Sequence, residues 1–227
     1  MVLDLLDDAN SEISNYVNSH IDIAYVHRLR TSFLPLLTQR FLQAEKRSVT
    51  FSFHEGITNS ILTGLMKGKY DIGFCSYSAD YPDIYYHPII TVKLVAIVPI
   101  DHELANRETI SVKELSDFPI VSYTTRGILG ARIQEMLINY GVIFPSTMVA
   151  EDESMLYAHV KDHYGIGITF YLPDLAGDSV KQIQIREDDF FHTYYMAYTK
   201  DRMTAVVRRF VYFVENHYDH SNTLSML

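Results

Sequence analysis

The sequence predicts an α/β fold built on parallel strands, on three observations. Val49, Phe51 and Phe53 alternate with Thr50, Ser52 and His54, the pattern of a half-buried strand. Ile57, Ile61, Leu62 and Leu65 then recur at helical spacing, so a helix runs from the Glu55-Gly56 break to about Lys67. Asp71-Ile72-Gly73-Phe74 begins a second, short apolar strand. Strand, helix and strand in so short a stretch form the minimum unit of a parallel crossover. Parallel strands there put their C-terminal ends and the N-terminus of the helix on one rim, where open α/β sheets bind ligands.

The other elements follow the same alternation. Residues 2 to about 18 carry Leu3, Leu6, Ile13, Tyr16 and Val17 on one stripe. Asp4, Asp7 and Asp8 lie near its start, where the helix dipole favours acids. The stripe is narrow, so such a helix needs a partner: its own domain or, as a linker helix, a second copy. Residues 20–26 alternate as a first strand, and 27–31 form a loop. Phe33, Leu34, Leu36, Leu37, Phe41 and Leu42 make an amphipathic helix, with Pro35 tolerated in its first turn. Gly68 closes the next helix, whose end suits the basic Lys67 and Lys69.

After a turn-rich, aromatic stretch at 81–88, residues 91–99 read as a strongly apolar strand. Ser111-Val112-Lys113-Glu114 is a capping box. Residues 119–122 are a short strand, 123–130 a loop and 131–140 a helix with Ile133, Met136, Leu137 and Tyr140 on one face. Strands at 147–150 and 165–171 flank a helix at 154–163. Two more strands, at 181–185 and 193–199, lead to a closing helix at 205–217. Val206, Phe210, Phe213 and Val214 face inward from it. The last ten residues are polar and are expected to fray. Two similar α/β lobes follow from this order.

Composition narrows the function. With 227 residues, 48% of them hydrophobic, the chain can bury a sizeable core. A net charge of −9 argues against gripping a polyanion unaided. A single cysteine excludes an internal disulfide and fits a reducing compartment. No apolar run reaches the roughly 18 residues of a membrane span. Three aspartates stand where a signal peptide would be basic and then apolar. A cytoplasmic protein, not associated with a membrane, is the expectation. No Gly-x-Ser-x-Gly elbow, Walker loop or His-Glu-x-x-His motif is present, so no enzyme is expected and no cofactor is implied. His159 and His163 are four apart on a predicted helix, but no third ligand is apparent, and no metal is expected.

The order of the motifs resembles the effector-binding region of LysR-type transcriptional regulators. The matching pieces are Leu34-Pro35 at the first helix, Glu55-Gly56 before the second, and Leu65…Gly68-Lys-Tyr-Asp71-Ile-Gly-Phe. Pro99…His102-Glu-Leu104 and Ile110-Ser111…Leu115…Phe118-Pro119-Ile120 follow. Val160…Gly165-Ile-Gly-Ile and Lys200-Asp201-Arg202 complete the series. The resemblance implies a two-lobed fold like that of periplasmic solute-binding proteins (type 2), two α/β subdomains joined by two crossing strands. Residues 1–18 would be a linker or dimerisation helix. Subdomain I would be 20–97 plus 198–220 and subdomain II 98–197, with crossings near 96–99 and 196–199. It implies a homodimer, with a tetramer open to the full-length protein. The helix at 33–44 would meet the helix at 131–140 of a partner. DNA is contacted in the family by a winged helix-turn-helix upstream of the connecting helix, which is not among these residues. A solute-binding protein of a transport system is the alternative with the same fold.

If the strands are parallel, their C-terminal rims face an interlobe cleft, and in the family such loops hold the effector. The first lobe would supply His27, Arg28, Thr31, Glu55, Gly56, Thr58, Cys75 and Ser76. The second would supply Ser122, Tyr123, Thr124, Thr125, Arg126, Asp152, Glu153 and Thr169. Helix N-termini favour anions, and Arg28 and Arg126 offer forked donors to a carboxylate. A small anionic or zwitterionic metabolite is the expected effector. Against this, both arginines can be read as ordinary surface residues, and Cys75 as a buried structural thiol.

Overall fold

The computed structural model describes residues 19–31, 33–143, 148–171 and 179–218. The stripe at 2–17, Thr147 of a predicted strand and the polar tail lie outside the described residues. Contacts divide the chain into two units, Met1–Ile90 with Thr193–Leu227, and Thr91–His192.

Unit 1 opens with strand β1 (His20–Tyr25), helix α1 (Phe33–Ala44), strand β2 (Thr50–Glu55), helix α2 (Thr58–Met66) and strand β3 (Ile72–Ser76). β1 pairs in parallel with both β2 and β3. The crossover through α2 therefore steps over β1 instead of joining neighbours. β2 is left with a single partner among the described strands, and its apolar side is only part covered: Phe53 is 46% exposed. Asp71 fixes the start of β3. Its amide donates to the Asp22 carbonyl at 2.9 Å, and its carboxylate accepts from the Asp22 amide at 2.8 Å.

Strand β4 (Tyr85–Pro99) is longer than its apolar run predicts. Tyr85, Tyr86 and His87, which read as part of a turn, are strand: Tyr85 stacks on Tyr198, and His87 Nε2 reaches the Tyr218 carbonyl at 2.8 Å. β4 carries the chain into unit 2, where β5 (Thr109–Ile110), β6 (Ile120–Tyr123), helix α3 (Ile128–Asn139) and β7 (Met148–Ala150) follow. Helix α4 (Glu153–Lys161), β8 (Ile166–Phe170) and β9 (Val180–Ile185) complete it. β7, β6 and β8 pair in parallel, and β8 and β9 run antiparallel to β4. Strand β10 (Phe191–Tyr198) returns the chain, pairs antiparallel with β3, and leads to helix α5 (Ala205–His217).

α3 begins at Ile128, three residues before the prediction. Gly130 reads as loop in sequence but is helix. A Cβ there would stand 2.3 Å from the Thr124 carbonyl oxygen, so the first turn of α3 lies against the end of β6 only with glycine. Gly167 on β8 has the same cause. An added Cβ would meet Ile97 at 2.7 Å and Val160 of α4 at 2.8 Å. His159 and His163 do not share a helix face: α4 ends at Lys161, and His163 takes a φ of 62°.

Each unit has its own core. In unit 1, α1 and α5 cover one face of the sheet with phenylalanines. The Phe41 and Phe210 rings lie 5.0 Å apart, and Phe51 and Phe210 5.8 Å. α2 covers the other face with Ile61, Leu62 and Leu65, against Ala24, Cys75 and Ala197. In unit 2 the sheet buries Ile133, Met136 and Leu137 of α3, and Leu156 and Val160 of α4. No helix among the described residues is long and apolar enough to cross a membrane.

The predicted capping box forms. Ser111 Oγ accepts from the Lys113 amide, and Glu114 Oε2 accepts from the Ser111 amide at 2.8 Å. Arg107 reaches the other Glu114 oxygen at 2.7 Å. The Ser111 amide and then Arg107 pull the Glu114 carboxyl down to about 2. A depressed carboxyl stabilises the fold above its unfolded value and loses that contribution as pH falls through the folded one. Glu114→Gln is thus expected to destabilise the chain by a constant amount above about pH 5. The difference from the parent, read from urea unfolding, should shrink steadily toward about pH 2. A difference that is flat with pH would mean that the charge is irrelevant to the box.

Candidate functional site

The parallel register sets the rim of unit 1. Tyr25 lies opposite both Glu55 and Phe74, so the segments after β1, β2 and β3 emerge at one end. After β1 the chain turns at once through a 3-10 turn at His27–Leu29, with the Leu29 amide on the Val26 carbonyl. That turn brings His27 Nδ1 to Glu55 Oε1 at 2.8 Å. Arg30 stands 3.8 Å from the second Glu55 oxygen. All three are exposed, and such pairs each stabilise by about 0–1 kcal/mol. Their effect is to orient polar groups, not to hold the fold.

Thr58 and Ser76 also meet: the Ser76 amide donates to Thr58 Oγ1 at 3.4 Å, both residues buried. Gly56 takes the first position after β2, where its amide binds the Tyr25 carbonyl at 3.0 Å. Arg28 is half-buried on the same turn, and Thr31 is exposed at its end. Cys75 is the exception. It is wholly buried against α2, and burial pushes its thiol up to about 12. It is a core residue with no thiolate near neutral pH and is not part of the rim surface.

In unit 2 the ends of β6, β7 and β8 form a second rim. The Tyr123 hydroxyl and Thr169 Oγ1 are 2.6 Å apart in a buried pair. Ser122 is 3% exposed, and its Oγ has no hydrogen-bond partner among the described residues. The Thr124 amide ties the loop to the Ala150 carbonyl at 3.0 Å, and the Thr124 carbonyl accepts from Gly127 at 3.1 Å. Thr125 and Arg126 stand exposed on that loop. Asp152 is occupied as a cap, accepting from the Met155 amide at 2.8 Å, and Glu153 opens the first turn of α4.

The helix starts differ in a way that sequence alone did not show. α4, α5 and the 3-10 helix at Val112–Asp117 are capped by the side chains of Asp152, Thr204 and Ser111. α2 and α3 begin after Ile57 and Gly127 with no side-chain cap. An uncapped start leaves main-chain N–H donors and the positive end of the dipole open to a ligand. Arg30 is the rim residue missed in sequence. The 3-10 turn brings it round to Glu55, a placement that loop length does not reveal. Among the described residues no group of three or more His, Cys, Asp or Glu side chains gathers to hold a metal.

The Tyr123–Thr169 bond is expected to matter for stability. Thr169→Val keeps the shape of the side chain but removes the hydroxyl, at an expected cost of about 1–3 kcal/mol. Tyr123→Phe in the same background should add little further, because the bond is already lost. Additive losses in urea unfolding would show that the two hydroxyls act independently.

The chain matches the family model described as the LysR substrate binding domain over residues 14–219. It is 24% identical over 152 residues to the HTH-type transcriptional regulator SsuR of Burkholderia cenocepacia, covering 66% of this chain and 49% of that protein. The chain spans about half the length of the first curated relatives it matches. Among solved structures it is similar to the effector binding domain of QuiR in complex with shikimate. The TM-score is 0.83 at 25% identity, over 91% of this chain and 100% of that one. It also shares its fold with the BenM effector binding domain bearing benzoate, at TM-score 0.71 and 17% identity, over 91% and 98% of the two chains. Two α/β units of this topology, the ordered motifs along the sequence and the match over almost the whole chain lead to one conclusion: the chain belongs to the LysR substrate-binding-domain family.

Proposed function

We propose that this chain is the effector-sensing domain of a LysR-type regulator and that its effector is a small anionic or zwitterionic metabolite. The uncapped starts of α2 and α3, both at rims, carry the reading. Helix N-termini without a side-chain cap offer an anion several N–H donors and a favourable dipole. Arg126 adds an exposed guanidinium to one rim and Arg28 a half-buried one to the other, each suited to a carboxylate. Ser122 Oγ supplies a buried hydroxyl that lacks a protein partner. The similar domain of QuiR was solved with shikimate, a carboxylate, which agrees with that class. The ligand acts by population shift, favouring the state it binds more tightly by no more than its differential affinity. We assign the chain no catalytic step. DNA would be reached through a helix-turn-helix outside these residues, which fits the net charge of −9, and the protein would work in the cytoplasm.

A thermal-shift series over small carboxylates and amino acids tests the effector class. A ligand at a hundredfold its Kd is expected to stabilise the chain by about 2.7 kcal/mol. Arg28→Ala and Arg126→Ala should each reduce the shift. Undiminished shifts in both variants would place the ligand away from the rims, and an entirely silent series would exclude this effector class. We also propose a homodimer in which α1 of one copy meets α3 of the other, where Leu42 is 44% and Ile138 54% exposed. Sedimentation equilibrium should return twice the chain mass at micromolar concentrations, and Ile138→Asp should halve it. A concentration-independent monomer would contradict the pairing.

A further inference from the structure

Unit 1 carries a pocket of about 440 Å³, a volume within the range of small-ligand sites. Three segments line it: Met66 at the end of α2, Pro82, Asp83 and Tyr85 about the start of β4, and the turn from Thr199 to Arg202 that precedes α5. Register places it at the end of unit 1 away from the rim. α2 starts at the rim and runs back to Met66, and β10, antiparallel to β3, brings Ala197 opposite Gly73 near the start of β3. The pocket belongs to neither candidate site.

Its wall is held from behind. Tyr198 is buried, and its hydroxyl donates to Glu215 Oε1 at 2.8 Å. Tyr85 stacks on Tyr198 with ring centres 5.8 Å apart, and Lys200 Nζ lies 3.8 Å from the centre of the Tyr85 ring. Arg202 rests on the bare main chain after α2: Gly68 has a φ of 68°, and a Cβ there would collide with Nη1. Two cations, Lys200 and Arg202, and two carboxylates, Asp83 and Asp201, thus share one cavity. All four are exposed, and among the described residues none of them takes part in an ion pair. Charges of both signs that do not neutralise each other remain open to a guest that carries both. A plain anion there meets two carboxylates, and a plain cation meets two basic groups, each an unfavourable pairing. Met66 and Tyr85, 40% and 45% exposed, and Pro82 add apolar surface.

We propose that this pocket is a second small-molecule site, for an α-amino acid with an unbranched or branched aliphatic side chain. The Arg202 fork takes the carboxylate, Asp83 takes the ammonium, and the side chain lies against Met66, Pro82 and Tyr85. An occupant clasps the end of α2, whose start lies at the rim, to the turn that leads into α5. The site stands independently of the effector reading of the rims.

Titration of the full chain with L-leucine and with L-methionine, followed by backbone amide shifts and equilibrium dialysis, tests the assignment. At least one of the two is expected to bind with a Kd below about 1 mM and to move the amides of Asp83, Tyr85 and residues 200–202. Asp83→Asn and Arg202→Gln, both at exposed positions, should each weaken binding at least about tenfold, while Arg28→Ala and Arg126→Ala leave it unchanged. 4-Methylpentanoate, which is leucine without its amino group, and 3-methylbutylamine, which lacks the carboxylate, should bind at least about tenfold more weakly than L-leucine. Failure of both amino acids to bind would overturn the site. Equal binding of either single-charge analogue would overturn the zwitterion. Binding that is lost in Arg28→Ala or Arg126→Ala but kept in Arg202→Gln would move the ligand to the rims and overturn the assignment while supporting the effector reading.

Discussion

Phe210 is the contact on which unit 1 depends. It is fully buried on α5, with its ring 5.0 Å from Phe41 on α1, 5.8 Å from Phe51 on β2 and 6.4 Å from Phe74 on β3. Edge-to-face packing of this kind adds about 0.5–1.5 kcal/mol per pair beyond the area buried. Truncating such a ring costs about 3–5 kcal/mol. The consequence is topological as well as energetic. A helix from the end of the chain completes a core begun by its first three strands. The chain must therefore leave unit 1 and come back, and β4 and β10 are the two strands that carry it.

The same parallel packing separates functions along unit 1. Tyr25, Glu55 and Phe74 stand in register, so the loops that follow β1, β2 and β3 are forced to one end. α1 and α2 then bring the chain back to the other end, where Asp71 clasps Asp22 and the Ser19 carbonyl holds Thr50. Polar loops collect at one end of the strands. This arrangement needs no specific side chain to create it and follows from right-handed helices returning between parallel strands.

Much of this was legible in sequence because it rests on periodicity. The α/β alternation, the capping box at Ser111–Glu114 and the buried stripe of α5 are local patterns whose period matches the element formed. The ordered motifs also led to the family that the comparisons establish. What failed depended on approach between distant backbones. Gly130 looks like a helix breaker until the Thr124 carbonyl is seen beneath it. Tyr85 to Pro88 look like a turn until Tyr198 and Tyr218 supply partners more than a hundred residues away. The step of α2 over β1 is invisible to any pattern within the crossover itself. Among the site residues, the sequence named the pairs His27–Glu55, Thr58–Ser76 and Tyr123–Thr169 as rim residues without joining them. It misplaced Cys75 because helices cover both faces of β3, so that even the last residues of this strand are buried.

On the proposed reading, a ligand at the rims would be read by backbone as much as by charge. Glu55 is engaged by His27 and Arg30, and Asp152 is spent on the amides of α4. An acidic protein that filled its rims with free carboxylates would repel an anion, whereas here Glu55 faces His27 and Arg30, and Asp152 is hydrogen-bonded to an amide of α4. What remains at the helix starts is dipole and N–H, at Ile57 and Gly127, where a capping serine or aspartate would have competed for the same donors. The absence of a cap costs α2, which starts after Ile57, about 0.5–2 kcal/mol by comparison with a capped helix, and costs α3, whose N-cap is Gly127, only a few tenths. The phenylalanine core of unit 1 and the apolar packing of α3 against the sheet of unit 2 are large enough to carry that cost. The loss is tolerated at the rims, and the helices that start away from an open donor requirement, α5 and the 3-10 helix after Ser111, keep their caps.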